Sequence, residues 1–352
     1  MPLCKSAVPL RIAAMALLVG IDEAGYGPHL GPLVVAAAGL DFPGGALPDP
    51  DLWGGLRACV RKRPAGASGR VVICDSKIAY GGPGDLSTLE RTVLGFLAAA
   101  GRTPRSLGEL LRATGVNSPA GRDAGDLPPR PWDRPEELAL PLSANAEDIA
   151  SAADRLARGL AHLRAAPGGL WLNAAPAARF NRLVDGHRNK AAALFALTAD
   201  LLTEVQAHQP RDPIHVTMDR HGGRLYYGGL LSGAFPMTPV ETVEESPAVS
   251  RYRLLRCPLS DPENGATSAA APVHVTVRDR CETWSLPTAL ASMAAKYVRE
   301  LAMRQLNAYF QERVPGLRPT AGYGLDAWRF LDDTAAARAA AGVADAAILR
   351  SR

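Results

Sequence analysis

The sequence predicts an α/β protein, a sheet flanked by helices, and three observations carry that reading. Apolar runs that end on carboxylates, Leu18 to Glu23 and Ile214 to Asp219, have the length and composition of buried strands. Apolar residues recur at helical spacing over 146–165, 189–207 and from Pro287 to about Arg313. Between Gly25 and Pro32 a glycine- and proline-rich bend separates two apolar runs without opening a helix. Strand ends of such a sheet meet in one crevice, so acids distant in sequence can share a site.

Taken in order, residues 1–14 read as a loose extension. The run Ile12 to Val19 could be mistaken for a secretory signal, but it leads straight into Asp22-Glu23 and serves better as the first strand. Pro32 to Ala38 is the second strand, followed by a Pro/Gly loop at 42–50 and the basic cluster Arg61-Lys62-Arg63. Val71 to Lys77 is an apolar run ending in Asp75-Ser76-Lys77. Ser87-Thr88-Leu89-Glu90 has the form of a capping box for a helix ending near Gly101. From 102 to about 142 no period persists, and a long loop or insertion reaching about 168 is expected. A helix over 146–165, a short strand at 169–172, a helix over 189–207 and the strand ending at Asp219 follow. Extended segments are expected near 237–243, 249–257 and 273–279, then the longest helix, then an Ala-rich tail from 331 to 352.

Composition narrows the class. With 47% hydrophobic and 21% charged residues the chain reads as soluble and globular, and no run reaches membrane-spanning length. A net charge of +4 is slight for 352 residues, so affinity for nucleic acid has to come from a local patch. Five scattered Cys without a C-x-x-C pair argue against a disulfide scaffold or structural zinc and point to a reducing, cytoplasmic setting.

Leu18-Val19-Gly20-Ile21-Asp22-Glu23-Ala24-Gly25-Tyr26-Gly27-Pro28 is the chemical centre of the sequence. Adjacent acids at the end of a buried strand need something positive beside them, and a hard divalent cation such as Mg²⁺ or Mn²⁺, which takes oxygen ligands, supplies it. A dinucleotide loop fits poorly. The spacing is not G-x-G-x-x-G, Pro28 and Pro32 stand where the cradling helix should start, and the acids would repel a pyrophosphate. Glu300, on the long helix, is a fourth candidate acid. The spacing Lys296, Glu300, Arg304 is equally that of a solvated salt-bridge ladder. Small residues upstream, Ala289, Ala291, Ser292, Ala294 and Ala295, let this helix lie close to a sheet.

These segments together resemble the type 2 ribonucleases H, HII and its relative HIII. Ile21 to Pro28 with Gly31-Pro32 resembles the family's D-E-A-G-R-G-P opening, and Asp75-Ser76-Lys77 its D-S-K. Asn189-Lys190-Ala191 is similar to its N-I-x-x-A, Met218-Asp219 falls at its third acid, and Ala291 to Glu300 resembles A-S-I-x-A-K-x-x-R-D. Gly322-Tyr323-Gly324 is a weaker echo of a later segment. The likeness spans most of 16–330 and leaves 331–352 outside. It implies a ribonuclease H-like mixed sheet and hydrolysis of the RNA strand at RNA–DNA hybrids or junctions by a monomer. It implies metal-binding acids at Asp22, Glu23, Asp219 and Glu300, an HIII-like D-E-D-E set. It implies phosphate contacts from Lys77, Lys296 and Arg299, strand contacts at Gly25, Gly27 and Asn189, and stacking or packing by Tyr323. The chain departs from the pattern at Tyr26, where HII has Arg and where stacking would replace a phosphate contact, and at Arg220-His221 after the third acid. A nucleic-acid-binding relative with weak catalysis and a hydrolase of small nucleotides are the competing readings. His29, His187 and His221 receive no role.

Overall fold

The computed structural model describes residues 15–43, 51–64, 69–82, 84–114, 127–128, 130–260, 267–268 and 270–351. The expected extension over 1–14 and much of the Pro/Gly loop at 42–50 lie outside the described residues. Seven strands form the main sheet: β1 (Met15–Ala24), β2 (Leu33–Pro43), β3 (Ala166–Ala175), β4 (Ile214–Asp219), β5 (Val240–Glu245), β6 (Ser250–Leu254) and β7 (Val273–Arg278). Their spatial order is β3-β2-β1-β4-β7-β6-β5. β1, β4 and β7 run parallel at the centre, and the flanking pairs are antiparallel, so the sheet is mixed as expected.

The period of two assigns the faces. Leu17, Val19 and Ile21 of β1 pack with Leu33, Val35 and Ala37 of β2 against the helices α3 (Ala177–His187) and α4 (Lys190–His208). On the other face Ala24, Val34, Ala36 and Ala38 meet α5 (Leu286–Gln311). Gly20 is what lets α5 come so close: a Cβ there would stand 1.9 Å from the Thr288 amide nitrogen. Ala289, Ala291, Ala294 and Ala295 are fully buried, as the small-residue run required. Outside α5, the helices α1 (Ser87–Ala99) and α2 (Ala146–His162) complete that layer.

Several local expectations need correction. Glu90 does not close a capping box: the α1 N-cap is Leu86, without a side-chain cap, and Asp85 accepts from the Ser87 amide at 2.9 Å. Glu90 is instead fully buried and accepts from the amides of Leu142 (2.7 Å), Ser143 (2.6 Å) and Ala144 (2.7 Å) and from the Tyr297 hydroxyl (2.7 Å). One carboxylate thus ties the 102–168 segment to α1 and α5. That segment also holds a helix, Leu107–Ala113, whose seven residues are too few to show a sustained period. β3 begins at Ala166, within the expected insertion, and α3 was not read from the sequence.

The Ala-rich tail folds back on the body. The helix α6 (Gly324–Asp333) and Ile348 pack on Leu30, Met303, Leu306 and Phe310, and Leu30 bridges Leu349. Among the described residues no helix is long and apolar enough to cross a membrane.

Candidate functional site

β1 and β4, parallel neighbours in register, end on Asp22-Glu23 and Asp219. Asp22 projects on the α5 face, where Ser292 bonds to it, and its Oδ1 accepts from the Glu23 amide at 2.8 Å. The Ser292 and Ser76 hydroxyls share a hydrogen bond of 3.0 Å, which ties the Asp75-Ser76-Lys77 turn to the same place. That turn is a short helix, Ser76–Ala79, capped by Asp75, whose Oδ1 accepts from the Lys77 amide at 2.8 Å.

The third parallel strand, β7, brings an acid that the sequence reading passed over. After Arg278 the chain turns through Arg280, left-handed at φ 54°, into the turn Cys281–Thr283. A non-glycine residue held there stores about 1 kcal/mol or more of strain. The turn presents Glu282, whose Oε2 is buried without a hydrogen-bond partner.

The electrostatics show which acids share one environment. Burial, then Glu23, push the Asp22 carboxyl well above the usual range, against the Ser292 bond. Burial and Asp219 push Glu23 up to about 7, with Glu282 adding to the rise and Lys77 opposing it. Asp219 is raised by burial, although the amides of Arg220, Arg280 and Cys281 hold it down. Glu282 is raised by burial, then by Asp219 and Asp75, against Lys77. Cys281, whose Sγ lies 3.0 Å from the Met218 carbonyl, has its thiol raised by burial and by both Asp219 and Asp22.

Glu300 belongs elsewhere. Its carboxylate takes Lys296 Nζ at 2.5 Å and the Tyr80 hydroxyl at 2.9 Å, so the salt-bridge spacing is what the structure realises. It lies eight residues along α5 from Ser292, about 12 Å at the helical rise. Lys296 also sits 4.0 Å from the Tyr80 ring centroid.

Arg299 is likewise not a phosphate contact. It is 1% exposed and donates to the carbonyls of Pro32 (2.9 Å), Ala321 (3.0 Å) and Leu30 (3.4 Å). Arg350 donates to Pro28 O from Nε at 3.0 Å and to Tyr26 O at 3.3 Å, while its own amide donates to His29 O at 2.9 Å. Two buried guanidiniums therefore hold the glycine bend, and the tail expected to lie outside the domain supplies one of them. Gly25 (φ 90°) is obligatory in this bend, since a Cβ would meet Pro32 O at 2.7 Å and Arg299 Cδ at 2.8 Å.

Tyr26 packs under Lys190 Nζ, 4.8 Å from its ring centroid. Asn189 caps α4, accepting from Ala191 and Ala192 at 2.9 and 3.1 Å. Tyr323 is 48% exposed; its ring centroid lies 5.9 Å from the Arg299 guanidinium, and a Cβ on Gly27 would rest 3.8 Å from the ring.

Among the described residues no three Asp, Glu, His or Cys side chains are already disposed as the ligand set of one ion. The donor chemistry nonetheless fits a hard cation. Asp22, Glu23, Asp219 and Glu282 are all-oxygen donors, each raised by burial and by a neighbouring acid, and one buried oxygen has no partner.

No family model and no curated protein matches the sequence. Among solved structures the chain is similar to Bst-RNase HIII in complex with Mn²⁺, at 16% identity over 97% of this chain and 67% of that one, with a TM-score of 0.38. It is similar to the RNase HII in the PCNA:RNase HII complex from Archaeoglobus fulgidus (12%, 96% and 94%, 0.35). It is also similar to the ribonuclease H2 of Pyrococcus horikoshii OT3 (11%, 94% and 92%, 0.37). At such distances the site is read from the chain's own residues.

Proposed function

We propose that this chain is a divalent-cation-dependent endonuclease that hydrolyses the RNA strand of RNA–DNA hybrids or junctions, with Mg²⁺ or Mn²⁺ as the cation. The observation that carries the reading is the carboxylate set at the ends of three adjacent parallel strands: Asp22 and Glu23 after β1, Asp219 after β4 and Glu282 after β7. The motif resemblance supports the substrate class. Glu282 replaces Glu300 as the fourth acid of the proposal, because Glu300 is occupied by Lys296 and Tyr80.

Asp22, Glu23, Asp219 and Glu282 would hold the cation. Two such ions, when bound, would supply activation of water and stabilisation of the leaving 3′ oxygen of an in-line displacement. The chain's own residues do the remainder. Ser292 and the Glu23 amide fix Asp22, and the amide of Arg220 (2.9 Å) fixes Asp219. Lys77 places a positive charge beside Glu23 and Glu282 and is exposed to an incoming phosphate. The glycine bend, held by Arg299 and Arg350, offers backbone to the strand and its 2′-hydroxyl.

A labelled hybrid duplex incubated with Mg²⁺ or Mn²⁺ should be cut in the RNA strand and spared by Asp22→Asn. Cleavage by Asp22→Asn at the parental rate would overturn the assignment. Cation-independent binding without product would favour the weakly catalytic alternative.

A further inference from the structure

Beside the acid set lies an opening of about 480 Å³, lined by Tyr26, Ala191, His221, Gly222, Arg224 and Tyr226 among others. Nothing in the catalytic scheme uses it. Gly222 and Gly223 line it without filling it, since a Cβ at either would meet nothing within 4 Å. Its position is fixed by Tyr26, whose hydroxyl feels both Glu23 and Arg224, so the acid set stands at the Tyr26 end.

Three features give the opening a chemical character. Tyr226 leaves an aromatic ring 53% exposed, a poor use of a ring unless something stacks on it. Two cations flank it: Arg224 in the lining and Lys190 above Tyr26. Two buried polar nitrogens await a partner. His221 is 2% exposed with Nδ1 unbonded, and Arg224 Nε is buried and unbonded. An aromatic platform, two positive charges and unpaired ring and guanidinium nitrogens suit a planar base carrying a phosphate. They suit neither an apolar ligand nor a cation.

We infer that this opening is a nucleotide subsite: it takes the residue next to the hydrolysed linkage, with its base on Tyr226 and its phosphate towards Arg224 and Lys190. The inference rests on the nuclease reading for the identity of the strand and on the opening alone for the class of ligand. Tyr26 then separates the subsite from the acids, a role for which a ring is better shaped than a long cationic chain.

The test uses the full chain in cation-free buffer, where nothing is cut. Binding of a short RNA–DNA hybrid and, separately, of adenosine 5′-monophosphate is measured by calorimetry. Tyr226→Ala should weaken binding about 5- to 150-fold, the worth of one stacked base. Arg224→Ala should reduce the salt dependence of hybrid binding by about one counterion, and Arg224→Lys should restore it. Both substitutions lie on an exposed loop, and a thermal scan checks folding. If parent and both variants bind the hybrid equally well in cation-free buffer, and cut it equally well in a parallel assay with Mg²⁺, the subsite is refuted while the nuclease reading stands. If only the mononucleotide binds, and the variants lose it, the subsite stands and the nuclease reading fails.

Discussion

Replacing Arg350 by Met tests whether the tail works as a clamp on the glycine bend or as general glue. Arg350 is 3% exposed, and burial, followed by the charge of Arg299, pushes its pKa from 12.5 down to about 9. A displacement of that size corresponds to about 5 kcal/mol set against keeping the charge there. The carbonyls of Tyr26 and Pro28 accept from the guanidinium, and bonds to a charged donor return roughly 1.5–3 kcal/mol each, about 3–6 kcal/mol together. The two contributions nearly cancel. Unfolding entropy for a chain of this length is about 0.7 kcal/mol per degree, so a residue of about 2 kcal/mol moves Tm by only about 3 °C. The effect should appear locally. Hydrogen exchange across residues 25–30 should accelerate while the sheet stays protected, and kcat on a hybrid should fall about tenfold or more with a smaller change in KM. Unchanged exchange together with full kcat would refute the clamp, as would a loss of more than about 8 °C in Tm.

Three further outcomes follow from the geometry. Glu282→Gln should lower cation-dependent cleavage on the order of 100-fold, since loss of outer-shell partners alone costs about 10–100-fold, whereas Glu300→Gln should act on stability, by roughly 3 kcal/mol through Lys296. Parallel cleavage and melting assays separate the two, and the reverse pattern would return Glu300 to the site. Glu90→Gln should lose roughly 3–5 kcal/mol in denaturant unfolding, because its four donors converge on one buried charge and an amide nitrogen would face donors. His215 stacks on His274 at 4.7 Å, and burial, then His274, lower its pKa from 6.5 to about 4. The folded state thus binds fewer protons than the unfolded between those values, and stability is lost as pH falls from about 6.5 towards 4. The full shift would amount to about 2 kcal/mol at pH 5; partial exposure of the ring discounts this to about 1 kcal/mol, visible as a shallower acid limb in His215→Gln.

What could be read from the sequence follows physical lines. Asp22, Glu23 and Asp219 stood out because an acid ending an apolar run is locally expensive and therefore conspicuous. Glu282 obeys the same rule one strand later, after 273–278, but sits in a three-residue turn behind Asp279 and Arg280, where acids are ordinary. Glu300 was attractive through motif likeness, and the i, i+4 spacing that competed with that likeness describes its real partner. Arg299 and Arg350 were illegible for a different reason. Burial of a guanidinium by carbonyls distant from it in sequence leaves no period or spacing, since backbone acceptors carry no sequence signal.

The same two arginines bear on Tyr26, one of the positions at which the chain departs from the type 2 pattern. An Arg in place of Tyr26 would bring a third positive charge to a bend already closed by Arg299 and Arg350, whose pKa values burial lowers and of which Arg299 further lowers that of Arg350. Lys190 lies over the Tyr26 ring, and Arg350 acts on Lys190 in turn. A cationic side chain at 26 would have to displace Lys190 or share its space; an aromatic one accepts Lys190 as a partner worth roughly 0.5–2 kcal/mol. In this chain positive charge surrounds the bend, on Arg299, Arg350 and Lys190, and is absent from residue 26. Tyr26→Arg should accordingly destabilise the protein by 1 kcal/mol or more unless Lys190 is removed with it, an order of magnitude set by like charges in partly buried contact. A Tyr26→Arg/Lys190→Ala double variant that melts no higher than Tyr26→Arg alone would refute the clash between residue 26 and Lys190.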